Sequence, residues 1–331
     1  MKVPVKIAGT GEYQPSRRVS SREFDDRWGR EPGWTEERTG IAWRCFATVD
    51  ETSSLMGAEA GRRALEVAGL SARDLDCIVF TASVPEQAIP CTAVLIHRHL
   101  GLEGTGVPAF DVNATCLGFM TALDMMTAAL AMGRYQRVLI VSSEIASVGL
   151  NWDDMETAPL FGDGAAAVVL EAAGDSKSEV LGSRLQTFSE GADLCQVRSG
   201  GTRIRVRDQL QQFLDGACFE MAGRETYRLA LRMFPQFIRE LLARAYVNVE
   251  DIACWIPHQA SNKALAHLQA ALELPVERVM HILADAANQI SASLPVTLHR
   301  AIAGGRVNRG DLIALVGAGA GLSLGGAVLR Y

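Results

Sequence analysis

The chain reads as an α/β protein of layered type. Three observations predict it: short β-branched or aliphatic runs alternate with helical patterns, the second half repeats the theme of the first, and no Pro/Gly/Ser linker separates them. At 331 residues there is room for two core-forming units of about 150 residues each. We place them at residues 1–175 and 176–331, as duplicated halves of one compact body.

In chain order, strands are expected at Val5 to Ala8, Cys77 to Thr81, Val107 to Val112, Val138 to Ser142 and Ala165 to Leu170. Each is a run of four to eight mostly aliphatic residues, the length and composition of a buried strand. Between them the apolar spacing is helical at Ser53 to Ala68, Cys91 to Leu100 and Leu117 to Met132. The second half gives a strand at Ser178 to Gln186 and a long amphipathic helix at Glu225 to Arg244. It continues with a strand at Ala253 to Pro257, a helix at Asn262 to Leu272, and strands at Arg278 to Leu283, Leu312 to Gly317 and Gly326 to Tyr331. Between the two series, Ser189 to Asp215 is a polar, non-repetitive insertion expected to form a surface loop or flap.

The self-similarity extends to detail. DLDCIVFTAS (Asp74 to Ser83) lies over DIACWIPHQA (Asp251 to Ala260), with an acidic start, a cysteine in fourth place and then a buried strand. GRYQRVLIV, from Gly133, lies over GRVNRGDLIALV, from Gly305, and these glycines stand 172 residues apart. The same offset carries Cys116 onto Asn288. Matching strand ends in two such units would converge on one pocket.

Composition excludes several classes. A net charge of -6 lacks the positive charge that neutralises phosphates, so nucleic acid is not an expected partner. No apolar run reaches the ~18 residues of a membrane span. The opening MKVPVKIAGTGEY reads as a first strand running into a turn, its apolar part too short and alternating for a signal peptide. Seven cysteines (Cys45, Cys77, Cys91, Cys116, Cys195, Cys218 and Cys254), without a CxxC pair, argue for reduced thiols in a cytoplasm and against a disulfide framework or zinc site. His97 and His99, two apart, would point to different sides of a helix, and no metal is expected.

Three residues stand at strand ends. Cys116, in DVNATCLGFM (Asp111 to Met120), falls at a strand-to-helix turn, where free N–H groups and the helix dipole are expected to lower a thiol pKa and present the sulfur. Alone, it is more readily an inert core thiol. His258 ends the apolar strand of WIPHQAS and could hold a neutral imidazole in a dry pocket, or simply be satisfied by backbone. Asn288, in ADAANQISASLP, offers an amide donor that cannot titrate, or an ordinary helix cap. Together they form a constellation for thiol chemistry.

Seven motifs in order then carry a resemblance: WTEERTGI (Trp34 to Ile41), DVNATCLGF, FGDGAAAVVL (Phe161 to Leu170), FEMAGRETYRLA (Phe219 to Ala230), IPHQAS, NQISASLP and GAGAGLSLGGAVLRY. The chain resembles, almost end to end, the β-ketoacyl-acyl-carrier-protein synthase III branch of the thiolase superfamily. The resemblance implies a five-layered αβαβα fold and a Cys116-His258-Asn288 triad. Cys116 would take an acyl group from acyl-CoA; His258 and Asn288 would then assist decarboxylation of a malonyl thioester, on acyl carrier protein or CoA, whose carbanion attacks the acyl-enzyme. Two neutral donors suit the negative charge that decarboxylation develops on the thioester oxygen. The N–H groups of Cys116 and Ala320 would form the oxyanion hole.

By the same resemblance Trp34, Arg38, Thr39 and Lys263 would bind CoA, and Ile89 and Leu117 would shape the acyl pocket. A residue near Ile89-Pro90 would reach the neighbouring subunit of a homodimer. No metal or redox cofactor is implied. The chain departs from the family pattern at Asn113 and Leu117, usually small; at Ala287, usually glycine; and at Leu324, usually tryptophan. The helix after His258 carries only Lys263 as a basic residue, with Arg228 elsewhere on that face, which thins the attraction for an acidic carrier protein. A specialised acyltransferase, passing the acyl group to a hydroxyl or amine or joining two acyl chains, is therefore the alternative.

Overall fold

The computed structural model describes residues 2–174 and 176–331. The chain opens with β1 (Val5–Tyr13), a small hairpin of β2 (Arg17–Ser20) and β3 (Trp43–Phe46), and between these α1 (Ser21–Trp28) and α2 (Trp34–Thr39). There follow α3 (Ser53–Ala68), β4 (Cys77–Thr81), α4 (Thr92–His99), β5 (Ala109–Asp111), α5 (Gly118–Ala131), β6 (Arg137–Glu144) and β7 (Gly164–Ala172). The second half holds β8 (Glu179–Thr187), β9 (Cys195–Gln196), α6 (Leu210–Asp215), β10 (Glu220–Met221), α7 (Gly223–Ala245), β11 (Cys254–Pro257) and α8 (Asn262–Ala271). It ends with α9 (Leu283–Ala286), α10 (Ser293–Ala303), β12 (Leu312–Gly319) and β13 (Ser323–Arg330).

Two mixed sheets form, ordered β1-β7-β6-β4-β5 and β11-β12-β13-β8. From β4 through β6 and β7 to β1 the pairings run parallel, antiparallel, antiparallel. From β11 through β12 and β13 to β8 they run the same way.

Strand alternation explains the layering. On β6, Val138 and Ile140 face one core while Leu139 and Val141 face another; on β7, Ala166 and Val168 oppose Ala167 and Val169. The outer face packs on Met56, Ala60 and Ala64 of α3 and Ile96 of α4. The inner face packs on Leu123 and Met126 of α5 and Leu294 and Leu298 of α10. That same helical pair receives Ile313 and Leu315 of β12, whose alternate residues Ala314 and Val316 meet Phe237 and Leu241 of α7 and Leu268 of α8. Both sheets are thus covered on both faces, which is why their central strands are almost continuously apolar. The five layers are helix, sheet, helix, sheet, helix.

Local signals set the boundaries. Thr52 caps α3 by accepting the Leu55 N–H, and Gly69 closes it in the left-handed conformation at φ 70°. Gly9 of β1 lies so close on α3 that a Cβ there would overlap the Ala64 carbonyl.

The strand expected at Arg278 to Leu283 does not form. A single parallel bridge joins Val279 to Trp255, and the segment continues into α9. The Gln259 side chain takes the place of a ladder, donating to the Met280 carbonyl and accepting the Ile282 N–H. The expected flap, Ser189 to Asp215, contains β9, which pairs with β10, and α6. The α1–α2 hairpin region, unassigned from sequence, is folded around an aromatic cluster of the buried Phe24 and Phe46 and the half-buried Trp152.

One residue is held against its conformational preference. Ala287, buried between α9 and Asn288, has φ 59° and ψ -167°, a region open to glycine but strained for a residue with a Cβ. Ala287→Gly should relieve it and raise the unfolding free energy by about 1 kcal/mol. An unchanged or lower denaturation midpoint at constant m-value would refute the strain.

Candidate active site

The inner helical pair brings the site together. Cys116 lies in a 3-10 turn (Thr115–Leu117) leading into α5, and Asn288 stands just before the turn Ile290–Ala292 that leads into α10. His258 follows β11, its N–H donating to the Val316 carbonyl of β12. The end of β12 is the shared surface. A Cβ at Gly319 would stand 3.4 Å from the Cys116 Cβ, and one at Gly317 would stand 3.0 Å from the His258 Cβ. These glycines let the cysteine turn and the histidine lie against one strand. Asn288 closes the third side: its Nδ2 lies 3.4 Å from the carbonyl of Ala260, two residues beyond His258.

The Asn288 amide is oriented by its neighbours. Its Oδ1 accepts from the Ile290 N–H at 2.9 Å and the Ser293 hydroxyl at 3.4 Å, so the oxygen is occupied and the amide presents N–H. Its backbone is pinned as well, with Asn288 N donating to the Leu160 carbonyl and Gly162 N to the Asn288 carbonyl. His258 is buried and its Nδ1 has no partner within the described residues.

Burial sets the protonation states. The His258 imidazole is pulled down to about 4, so the ring is neutral at physiological pH. The Cys116 thiol behaves contrary to expectation. Desolvation pushes it up to about 12, although the N–H groups of Ala320 and Cys116 favour the thiolate. One turn's dipole does not outweigh removal of the charge from water, and the resting thiol is protonated.

The residues expected around CoA cluster at the α2 end. Asp25 accepts from the Gly33 and Thr35 N–H groups and from the Thr35 hydroxyl, at 2.6 to 2.9 Å, and so fixes the start of α2. Against its burial, these bonds hold the carboxyl below its ordinary value. Trp34 is half-buried and carries the guanidinium groups of Arg38 and Arg30 at 4.6 and 5.1 Å from its centroid. Thr39 is buried, its hydroxyl donating to the Thr35 carbonyl and accepting the Ile41 N–H. Gly40 abuts Asn262, so α2 ends beside exposed Lys263 in the first turn of α8. Leu117 is fully buried against the positions of Gly317, Gly319 and Gly325, whereas Ile89 is 86% exposed.

Sequence reasoning missed several buried polar residues that build the site. Gln259 ties the His258 strand end to the segment leading toward Asn288, donating also to the Pro257 carbonyl. Arg44, fully buried, donates to Ser21 Oγ and to the Pro159 carbonyl, next to the Leu160 carbonyl that holds Asn288. Glu144, at the end of β6, accepts the N–H groups of Ser83 and Ser291. The available signal was a charged or amide residue at the end of an otherwise apolar strand, as in VLIVSSE. Among the described residues no cluster of His, Cys, Asp and Glu could hold a metal, and no helix is long and apolar enough to cross a membrane.

Both the sequence and the fold have known counterparts. Residues 110–189 match the family described as 3-oxoacyl-acyl-carrier-protein synthase III, and residues 242–331 match its C-terminal part. A β-ketoacyl-acyl-carrier-protein synthase III of Methylococcus capsulatus is 34% identical over 326 residues, 98% of each chain. The crystal structure of the corresponding synthase from Aquifex aeolicus superposes with a TM-score of 0.89 at 34% identity, covering 99% of this chain and 100% of that one. The priming β-ketosynthase of the R1128 polyketide pathway superposes at 0.88 and 30% identity, covering 99% and 96%. The chain belongs to the 3-oxoacyl-acyl-carrier-protein synthase III family, acyltransferases of thiolase-like fold.

Proposed function

We propose that this chain loads an acyl group from acyl-CoA onto Cys116 and condenses it with a malonyl thioester, borne on acyl carrier protein or CoA, to give a β-ketoacyl thioester. The observation that carries the reading is the approach of Cys116 and His258 to the end of β12 with Asn288 beside the segment just after His258, the ring neutral and the amide oxygen already engaged.

In the first half-reaction the Cys116 sulfur attacks the thioester carbonyl and CoA leaves as its thiol, taking up the proton that Cys116 loses. The N–H groups of Cys116 and Ala320 stabilise the tetrahedral oxyanion. The protonated resting thiol fits thioester exchange, in which one S–H and one S–acyl bond are broken and remade. In the second, the malonyl carboxylate leaves as CO2 while negative charge moves to the thioester oxygen, where His258 and Asn288 donate. The carbanion then attacks the acyl-Cys116 carbonyl and the cysteine thiolate departs, to be reprotonated from solvent. Neither donor carries a charge that would hold the departing carboxylate in place.

Trp34 and the guanidinium groups of Arg30 and Arg38 offer a stacking face with positive charge for the CoA nucleotide. The exposed Ile89 fits a homodimer in which this loop enters the neighbouring pocket. The matching order of the two sheets supports the division into halves at 175/176.

Two experiments test it. Intact mass after addition of a panel of acyl-CoAs should show one acyl adduct, absent in Cys116→Ala; no adduct on the wild type with any donor would end the proposal. His258→Ala and Asn288→Ala should still acylate within about threefold of wild type yet release CO2 from malonyl thioester at least about 100-fold more slowly, as expected for loss of one oxyanion donor. Variants that decarboxylate normally would remove both residues from the mechanism, and a β-ketoacyl product absent from the wild-type reaction would point to a hydroxyl, amine or second acyl chain as acceptor.

A further inference from the structure

Glu144 is a buried carboxyl that the reaction above does not use. It ends β6, is 3% exposed, and its Oε1 accepts from Ser83 N at 2.7 Å and Ser291 N at 3.3 Å. Each contact leads to one of the reacting turns. Through Ser83, the carbonyl accepts from Asn113 Nδ2 at 3.1 Å, and Asn113 Oδ1 accepts from Thr115 N at 2.9 Å, one residue before Cys116. Thr115 has φ 49°, so the turn is held in an uncommon conformation that this hydrogen bond secures. Through Ser291, the contact reaches the turn whose Ile290 N–H orients the Asn288 amide, and the Ser291 hydroxyl donates to the Thr81 carbonyl of β4. Gly118, two residues after Cys116, packs against Thr81 and Ser291, so the Ser291 arm also reaches the Cys116 turn.

We propose that Glu144 is a positioning residue of this site: it clamps the Cys116 turn to the Asn288 turn and brings the charge of its carboxylate to bear on the Cys116 sulfur. The proposal rests on the reading of Cys116 as the nucleophile.

The electrostatic part follows from what surrounds the carboxyl. The loop after β4 presents Ser83, the turn before α10 presents Ser291, and the turn before α5 presents Cys116 as the titratable group that feels its charge. No cation stands among the groups that act most strongly on it. Burial pushes the Glu144 carboxyl up to about 7, against the hydrogen bonds of Ser291 and Ser83 that favour the carboxylate. Its charge therefore appears as pH rises through neutrality, and raises the thiol further.

The test is alkylation of Cys116 by iodoacetamide, read by peptide mass, between pH 6 and 9 on full-length wild type and Glu144→Gln. An uncoupled thiol far below its pKa reacts about tenfold faster per pH unit. In wild type the slope should flatten around neutrality as Glu144 ionises. Glu144→Gln keeps an acceptor oxygen but cannot ionise, so its slope should stay uniform, and above pH 8 it should react about three- to tenfold faster than wild type. A merely structural role would lower thermal stability without changing the slope. Parallel profiles for the two proteins overturn the coupling. If the variant does not fold, an unbroken wild-type line of tenfold per unit from pH 6 to 9 overturns it alone. The readout needs neither acyl-CoA nor malonyl thioester, so its failure is separable from failure of the condensation reading.

Discussion

The structure depends on one packing constraint, the sharing of a single inner helical layer by two sheets. Leu123 and Met126 of α5 and Leu294 and Leu298 of α10 bury apolar surface against β6 and β7 on one side and β12 on the other. Burying side chains of this kind is worth roughly 1.5–3 kcal/mol each, so the layer resists displacement. Because α5 and α10 are packed together there, whatever precedes each of them must also come together. Cys116 precedes α5 and Asn288 precedes α10. The site's geometry is a consequence of core packing.

The same burial decides the electrostatics. Desolvation raises the thiol of Cys116 and the carboxyl of Glu144 and lowers the imidazole of His258, in each case favouring the uncharged form. A site of neutral groups differs from a thiolate–imidazolium pair in what it stabilises. In the proposed reaction it would leave the N–H donors of His258, Asn288, Cys116 and Ala320 directed at charge that arises only during reaction, which is where donors lower a barrier most.

Much of this was legible in the amino-acid order. Alternation of apolar residues in VLIV and AAAVVL marked strands buried on both faces, and the seven motifs marked the family. The residues that escaped did so for physical reasons. The segment after Val276 has the composition of a strand, but its hydrogen-bonding groups at Met280 and Ile282 are claimed by the distant Gln259 side chain. The hairpin with α1 and α2 is ordered by long-range aromatic contacts, such as Phe24 with Trp152, that no local pattern encodes. The Cys116 thiol is hard to read from sequence because the turn's dipole is local, whereas the desolvation that outweighs it follows from burial in the folded chain.

The departures at Asn113 and Ala287 take on meaning in that light. Both flank a residue of the proposed triad, and both act through backbone conformation. Asn113 bridges the Ser83 carbonyl and the Thr115 N–H, supplying side-chain bonds that a small residue at that position would lack. Ala287 holds a glycine-like conformation without being glycine, so strain is stored in the backbone on the N-terminal side of Asn288. Asn113 reduces the freedom of a turn that in the proposed reaction must present the sulfur accurately, where a geometry error near 1 Å can cost about 100-fold in rate, whereas Ala287 holds its turn at a cost in stability. The two departures thus act on the supports of the proposed site in opposite senses, one bracing a turn and the other straining it, while Cys116, His258 and Asn288 stay in place.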